Sequence, residues 1–562
     1  MDFVELASQV RKKVKSKVLD GGFQQRLRIS AALIVVCFAY FYRLDKPLLW
    51  GDEADTGIEG RNIIRFGYPV AYDGRNVHVY DNGSQLNNNL LPKRIPWTQY
   101  YVAAVSLAIF GNNTFGLRLL FAIIGVAAFF PIHAVLKRRV KCPLIVTLLV
   151  LLLPQVVLFQ RSARYYPVLV LLYAIFVWHL SYDFRTTKAR FLVALLCFIL
   201  FYHTHPFAAF CCSVSVLTFC LFNRGKAFFV YLVSSCLGFS AWFVWYKLLG
   251  PGLGEDILPI MLIKTNFGGW FDSFRKGLSV TVIDLDAINS FPIILWAGLI
   301  IVMFLKGRKL MSNVFKDPVS GIILISLVVQ VLGMAAIFGY ETNADYSVLP
   351  SMRYSILRYM PHLIALATVP LFIVVDLLIR EKKLFVGSCI LITVFNPLTL
   401  SFWTRPYHRN VPVSWVFPVY SEILQPAEDV WENIIATMGD KAGCGGDYDK
   451  TIVVLPAWTQ EVITFYLGDQ YVVIPQIREE GTECKQAVRR VIGAESCRRF
   501  ERQPEWILDI LSLFPKTPAG YRTVSVPFYR ARPDDGTRPE LTRHTFPGPN
   551  SMGEVRMYQL LK

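Results

Sequence analysis

A succession of apolar runs, each about 17 to 25 residues long and separated by short clusters of charge, constrains this chain more than any other feature. A helix of that length crosses the hydrocarbon core of a bilayer. The runs begin near residues 29, 117, 142, 166, 191, 207, 228, 291, 321, 357 and 384, which predicts about eleven membrane helices and an all-α polytopic bundle. Composition agrees: with 54% hydrophobic and 18% charged residues, the 562-residue chain is too apolar for an ordinary soluble protein. Its net charge of +17 does not point to nucleic acid, because Lys and Arg gather at the ends of apolar runs, where membrane topology accounts for them.

The same charges set an orientation. A basic N-terminal stretch (Arg11, Lys12, Lys13, Lys15, Lys17) precedes the first run, which lacks a small-residue cleavage site and is read as a retained helix. Alternate connections carry Lys137 to Lys141, Arg185 to Arg190, Arg224 and Lys226, Lys306 to Lys309, and Arg380 to Lys383, so all of these are expected in the cytoplasm with the N-terminus. Four stretches then lie outside: a long first loop (46–116), the Arg161-Ser162-Ala163-Arg164 turn, the 250–290 loop and everything after about residue 403. The apolar piece Trp97 to Phe110 in the first loop is expected to lie along the membrane surface, since a crossing there would reverse every later basic connection.

Beyond residue 402 the membrane-length runs stop, which divides the chain into a bundle domain (1–402) and a C-terminal extracytoplasmic domain (403–562). Thr451 to Leu455 and Tyr471 to Ile474 read as buried strands flanking a helical Thr459 to Leu467. Lys485 to Ile492 and Glu505 to Leu513 read as helices, and Arg522 to Tyr529 and Val555 to Leu561 complete a small α/β layer. Eight cysteines lie in or beside apolar runs as small buried hydrophobes, whereas Cys444, Cys484 and Cys497 in the polar region leave room for one disulfide and one odd thiol.

Chemistry is sought on the outer face, where Asp52 and Glu53 follow almost directly on the first run, next to Trp50. A carboxylate in a partly desolvated cleft at the membrane boundary suits a general base for an acceptor hydroxyl, although two acids in a loop also suit a helix start. The stretch Trp50-Gly51-Asp52-Glu53-Ala54, followed by Gly67-Tyr68-Pro69, Tyr100-Tyr101, Phe110-Gly111 and Arg118-Leu119, resembles the opening of the polytopic GT-C glycosyltransferases. The similarity is to the branch of protein O-mannosyltransferases and the lipid A aminoarabinose transferase. It continues through Arg164-Tyr165-Tyr166, His203-Thr204-His205 and Arg358-Tyr359-Met360-Pro361, covering about the first 400 residues.

That resemblance implies an inverting glycosyltransferase, a hexosyl or pentosyl transferase moving a sugar from a polyprenyl-phosphate donor to an extracytoplasmic glycan, lipid or protein. It assigns Asp52 as the catalytic base, with Glu53 as its motif partner. Arg161, Arg164 and Arg358 become candidates to stabilise the leaving phosphate through charge-assisted hydrogen bonds. His203, His205 and Tyr165 are candidates to line the site. No cofactor and no obligatory metal are expected, and no nucleic acid partner; the expected location is a bacterial inner membrane. The second outer loop departs from some relatives in having no acid beside Arg161 and Arg164, which puts a two-acid mechanism in doubt. Asp55, Glu59, Asp73 and Asp81 in the first loop are further acids that spacing alone does not bring near Asp52. The rival reading is a polytopic transporter or lipid flippase, but no internal repeat accompanies it and the ionisable motifs gather at one face.

Overall fold

The computed structural model describes residues 21–46, 48–78, 86–87, 89–93, 95–181, 187–223, 225–250, 274–275, 277–279, 281–282, 285–286, 289–306, 308–338, 360–404, 430–439, 451–455, 460–475, 504–509, 516–527 and 554–561. The described part of each apolar run predicted from the sequence falls on helix. Among the described residues six helices are long and apolar enough to cross a membrane: Thr114–Leu136, Thr187–Thr204, Pro206–Asn223, Ala227–Leu248, Pro318–Ala335 and Pro361–Leu378. A further apolar helix pair, Pro143–Leu151 and Pro154–Arg161, is bent by 64° at its break and brings the number of spans to seven if the pair crosses as one. Pro154 causes the break, because its ring has no N–H to continue the helix and suits only a first turn.

The remaining predicted runs form helices too short or too polar at one end to count as spans by length and composition. Tyr166–Ser181 and Ile293–Lys306 are shorter, and Gly21–Phe41 begins with Gln24, Gln25, Arg26 and Arg28 before its apolar part. The helix Thr98–Phe110 has 13 residues and so extends about 20 Å, well short of a hydrocarbon core of about 30 Å.

Five strands among the described residues form one sheet: β1 (Thr451–Leu455), β2 (Val472–Pro475), β3 (Trp506–Asp509), β4 (Tyr521–Pro527) and β5 (Glu554–Leu560). The order is β2-β1-β3-β5-β4, with β1 parallel to β2 and β3, and β5 antiparallel to β3 and β4. Helix Gln460–Leu467 makes the crossover between β1 and β2. The sequence expectation of a helix over Glu505 to Leu513 is corrected here. Trp506 to Asp509 is a strand buried at every position, and three apolar residues before a buried acid are too short a run to carry a periodicity that separates strand from helix. The helix expected at Lys485 to Ile492 lies outside the described residues, as do Cys444, Cys484 and Cys497; the other eight cysteines are free thiols.

The crossover helix couples the sheet to the first loop. Phe465, Val462 and Ile463 share one apolar core with Ala54, Ile58, Ala103 and Leu117. Polar ties surround that core. Arg61 donates to the Phe465 and Thr464 carbonyls at 3.1 and 3.4 Å, the Tyr466 hydroxyl accepts from the Leu49 N–H at 2.9 Å, and Lys46 pairs with Glu432.

Candidate active site

Gly51–Phe66 is the helix on which the motif acids stand, and its ends follow simple rules. Trp50 precedes it in an extended conformation, Asp52 and Glu53 occupy the first turn where the helix dipole favours negative charge, and Gly67 closes it at φ 85°. Only Gly tolerates that left-handed cap without strain, and Tyr68-Pro69 then leads the chain away. The helix is polar on average, yet ten of its residues are buried. Glycines allow this close packing. A Cβ added to Gly57 would stand 2.5 Å from the Phe465 ring, and one on Gly60 would stand 2.9 Å from Ala103 Cβ.

Asp52, Asp55, Thr56 and Glu59 recur at three- and four-residue intervals and therefore share one face of this helix. Arg164 meets that face. Its Nη2 stands 3.4 Å from Asp52 Oδ2, and its Nη1 donates to Asp55 Oδ2 and Thr56 Oγ1, both at 3.3 Å, and to the Asp52 carbonyl at 3.1 Å. Arg164 is buried while Asp52 keeps 30% of its side chain exposed, so the pair closes the inner side of a carboxylate that remains open to a reactant. The other oxygen of Asp55 lies 3.0 Å from Nε2 of His78, which is itself buried.

The electrostatics follow from burial opposed by these pairs. Burial pushes the Asp55 carboxyl above the ordinary carboxylate range, while His78 and Arg164 pull it back. Burial likewise works against charge on Arg164, but Asp52, Tyr166, Asp55 and Tyr100 outweigh it and raise the guanidinium pKa, so this residue is a permanent cation. Glu59 is fully buried and has no ion-pair partner among the described residues; desolvation first and Asp55 second push it well above its usual value. The first loop thus supplies the second acid that the Arg161–Arg164 turn lacks, because Asp55 comes within reach of Arg164 from the next turn of the Asp52 helix.

Glu53, expected as the catalytic partner of Asp52, is occupied elsewhere. It is 1% exposed, its Oε1 accepts from Arg118 Nε at 2.9 Å and from the Ala163 N–H at 2.7 Å, and its Oε2 accepts from Arg118 Nη2 at 2.5 Å. With those acceptor positions filled, Glu53 fastens the Arg161–Arg164 turn to the acid helix. Arg118, quoted above only as part of a motif, is the residue that holds it, and it also donates to the Leu44 and Leu48 carbonyls at 3.1 and 3.3 Å.

Arg161 also departs from expectation. Instead of facing Asp52, it donates to the carbonyls of Ala39, Tyr40, Tyr42 and Arg43 at 2.8 to 3.4 Å, satisfying the C-terminal end of helix Gly21–Phe41. A guanidinium has five donors in a fixed fork, and four carbonyls engage this one. Arg358 lies outside the described residues.

Tyr165 follows Arg164 with its ring 4.8 Å from that of His205, whose Nδ1 accepts from the Ala208 N–H. Burial, together with the Arg164 cation, drives His205 down to about 4, so it is neutral at pH 7 and serves as a helix start. His203 takes a different place, in an apolar groove of about 650 Å³ lined with Trp97, Tyr101, Val105, Leu120 and Trp245. Lys93, which the motifs passed over, is buried with Nζ 4.4 Å from the ring of Tyr246, the residue that follows groove-lining Trp245 in sequence. Its only signal in the sequence is a basic residue within an outer loop rather than at the end of a span. No group of His, Cys, Asp and Glu among the described residues has the arrangement to hold a metal ion.

A bundle of apolar helices joined to a small α/β sheet through an acid-bearing helix defines a membrane protein of the GT-C fold. No family model and no curated protein matches the sequence. The backbone is similar to ArnT from Cupriavidus metallidurans bound to undecaprenyl phosphate, with 13% identity over 94% of this chain and 97% of that chain and a TM-score of 0.52. The apo state of the same protein gives 14% identity, 96% and 98% coverage and a TM-score of 0.52. Archaeal AglB from Archaeoglobus fulgidus, in complex with an inhibitory peptide and a dolichol-phosphate, aligns at 11% identity over 87% of this chain and 70% of that chain, with a TM-score of 0.43. The GT-C resemblance carried by the first-loop motif is borne out in the fold.

Proposed function

We propose that this protein is an inverting glycosyltransferase that moves one sugar from a polyprenyl-phosphate carrier to an acceptor on the outer face of the membrane. The observation that carries this reading is the partly exposed Asp52 carboxylate held against buried Arg164 in a GT-C fold. The ion pair with Arg164 orients Asp52, and its exposed side leaves room for an acceptor hydroxyl. The acceptor oxygen bonds to the anomeric carbon from one face, Asp52 takes its proton, and the bond to the lipid phosphate breaks on the opposite face. Charge grows on the phosphate as it leaves, and buried cations stabilise it where water is excluded. Arg164 and Lys93 are the described candidates, with Arg358 a third from the sequence.

The apolar groove lined by Trp97, Tyr101 and Trp245 suits a prenyl chain, and a lipid carrier explains why the enzyme is built in a membrane. ArnT bound to undecaprenyl phosphate is the precedent for such a ligand. The loop charges favour a cytoplasmic N-terminus, which sets the sheet domain outside an inner membrane.

The test is transfer of labelled sugar from a polyprenyl-phosphate donor by purified protein. Asp52→Asn is expected to fold normally and lose transfer by about 10²- to 10⁴-fold, the share of a general base. Undiminished transfer by the folded variant removes Asp52 from the mechanism. A wild-type protein that moves lipid across a vesicle bilayer without forming glycosylated product is a transporter instead.

A further inference from the structure

Arg164 is shared between two carboxylates, Asp52 and Asp55, and would be drawn to whichever is nearer or more strongly charged. Asp55 is fixed from its far side. Its Oδ1 meets His78 Nε2 at 3.0 Å and its Oδ2 meets Arg164 Nη1 at 3.3 Å, with all three side chains buried. His78 is fixed in turn by the sheet domain. Its own N–H donates to the Ala71 carbonyl at 2.6 Å, and the two residues before it are tied to the sheet. Asn76 donates to the Gly468 carbonyl at 3.0 Å and accepts from the Val473 N–H of β2 at 2.8 Å, while Gln460 donates to the Val77 carbonyl at 2.7 Å. A path therefore runs from β2 by contact to Asn76, along the backbone through Val77 to His78, and by contact through Asp55 and Arg164 to Asp52.

We propose that His78 and Asp55 are positioning residues of the transfer site, through which the C-terminal sheet domain fixes Arg164 against Asp52. This rests on the glycosyltransferase reading above. His78 touches no reactant in this scheme. It holds one oxygen of Asp55 so that the other presents to Arg164 in a single orientation, and the guanidinium is then left with one place for its second nitrogen, beside Asp52. Loosening any member lets Arg164 swing between the acids, and a misplacement of about 1 Å at a reacting centre costs on the order of 100-fold in rate.

The experiment measures kcat and KM of the full-length protein in detergent with a polyprenyl-phosphate sugar donor. His78→Ala and Asp55→Asn are each expected to lower kcat on the order of 100-fold with donor KM changed less than about threefold. His78→Gln, whose amide donates to Asp55 from a similar position, is expected to recover most of the loss. The double variant His78→Ala/Asp55→Asn is expected to be no worse than Asp55→Asn, because both break one chain of contacts. A purely structural role fails to give this kcat-selective loss or the Gln rescue. Undiminished kcat in folded His78→Ala, or additive losses in the double variant, overturns the proposal. Asn76→Ala reads the link to β2 by the same split should His78→Ala fold poorly. Thermal unfolding separates the two readings: absence of transfer by wild type defeats the glycosyltransferase reading, whereas additive midpoint shifts for His78→Ala and Asp55→Asn defeat the coupling itself.

Discussion

The two acids of the motif are adjacent in sequence and are expected to fail in opposite ways. Glu53 and Arg118 form a buried pair with side chains 1% and 7% exposed. Deleting the carboxylate with Glu53→Ala leaves the Arg118 cation buried without its main counter-charge, and breaking a buried pair from one side costs about 3 to 5 kcal/mol. The same change strips the Ala163 N–H of its acceptor, adding about 1 to 3 kcal/mol if that donor stays dry. Taking the pair alone, and roughly 2 to 4 °C per kcal/mol for a domain of moderate size, the unfolding midpoint of Glu53→Ala should fall by about 6 °C or more. Asp52→Asn, at a partly exposed position, should move it by no more than about 2 °C while abolishing transfer. The assay is tryptophan-fluorescence melting of both variants in one detergent, beside sugar transfer at a temperature where both are folded. A Glu53→Ala protein that melts with wild type would refute the structural assignment of Glu53, and a full loss of transfer at unchanged stability would restore it to the chemistry.

Arg161→Ala should lower the melting midpoint through the exposed carbonyls at the end of Gly21–Phe41, yet leave binding of a polyprenyl phosphate unchanged; weakened carrier binding at wild-type stability would return Arg161 to the donor site. Glu59 has a folded-state pKa raised above its ordinary 4.5, so its contribution to stability is intact below that pH and is lost as pH rises through the folded value. The melting advantage of Glu59→Gln over wild type should therefore be near zero at about pH 4.5 and grow toward alkaline pH, and a difference independent of pH would contradict the assignment. Gly57→Val should destabilise by about 1 to 3 kcal/mol because Phe465 has nowhere to go, and Phe465→Leu in the same chain should recover part of it; this is read by melting, and additive losses would show that the two residues do not share the contact.

The helical runs were legible because their length is dictated by the bilayer, and β1, β2, β4 and β5 because alternation or burial left little choice. What the sequence hid was of two kinds. Local ambiguity hid β3, whose four residues carry no period. Distance in sequence hid the rest: nothing in the spacing says that Arg118 and the Ala163 N–H consume Glu53, that Arg161 caps a helix some 120 residues earlier, or that His78 meets Asp55. Asp52 and Arg164 were recognisable because each stands in a motif. Asp55 was not, because the three-residue step from Asp52 has meaning only once the segment is known to be helical and Arg164 is known to face it.

The packing of Phe465 on Gly57 also sets an order of events during synthesis. The acid helix is complete at residue 66, but the crossover helix and β2 that close over it end at residue 475. Contacts separated by some 400 residues form late, so membrane helices emerge and insert while Gly51–Phe66 still lacks one wall. Until the ribosome has passed β2, the nascent protein holds Arg61, Asn76 and Val77 without their carbonyl and amide partners. A chain interrupted anywhere before that point is left with an open polar seam at the membrane boundary, the kind of surface that quality-control proteases recognise.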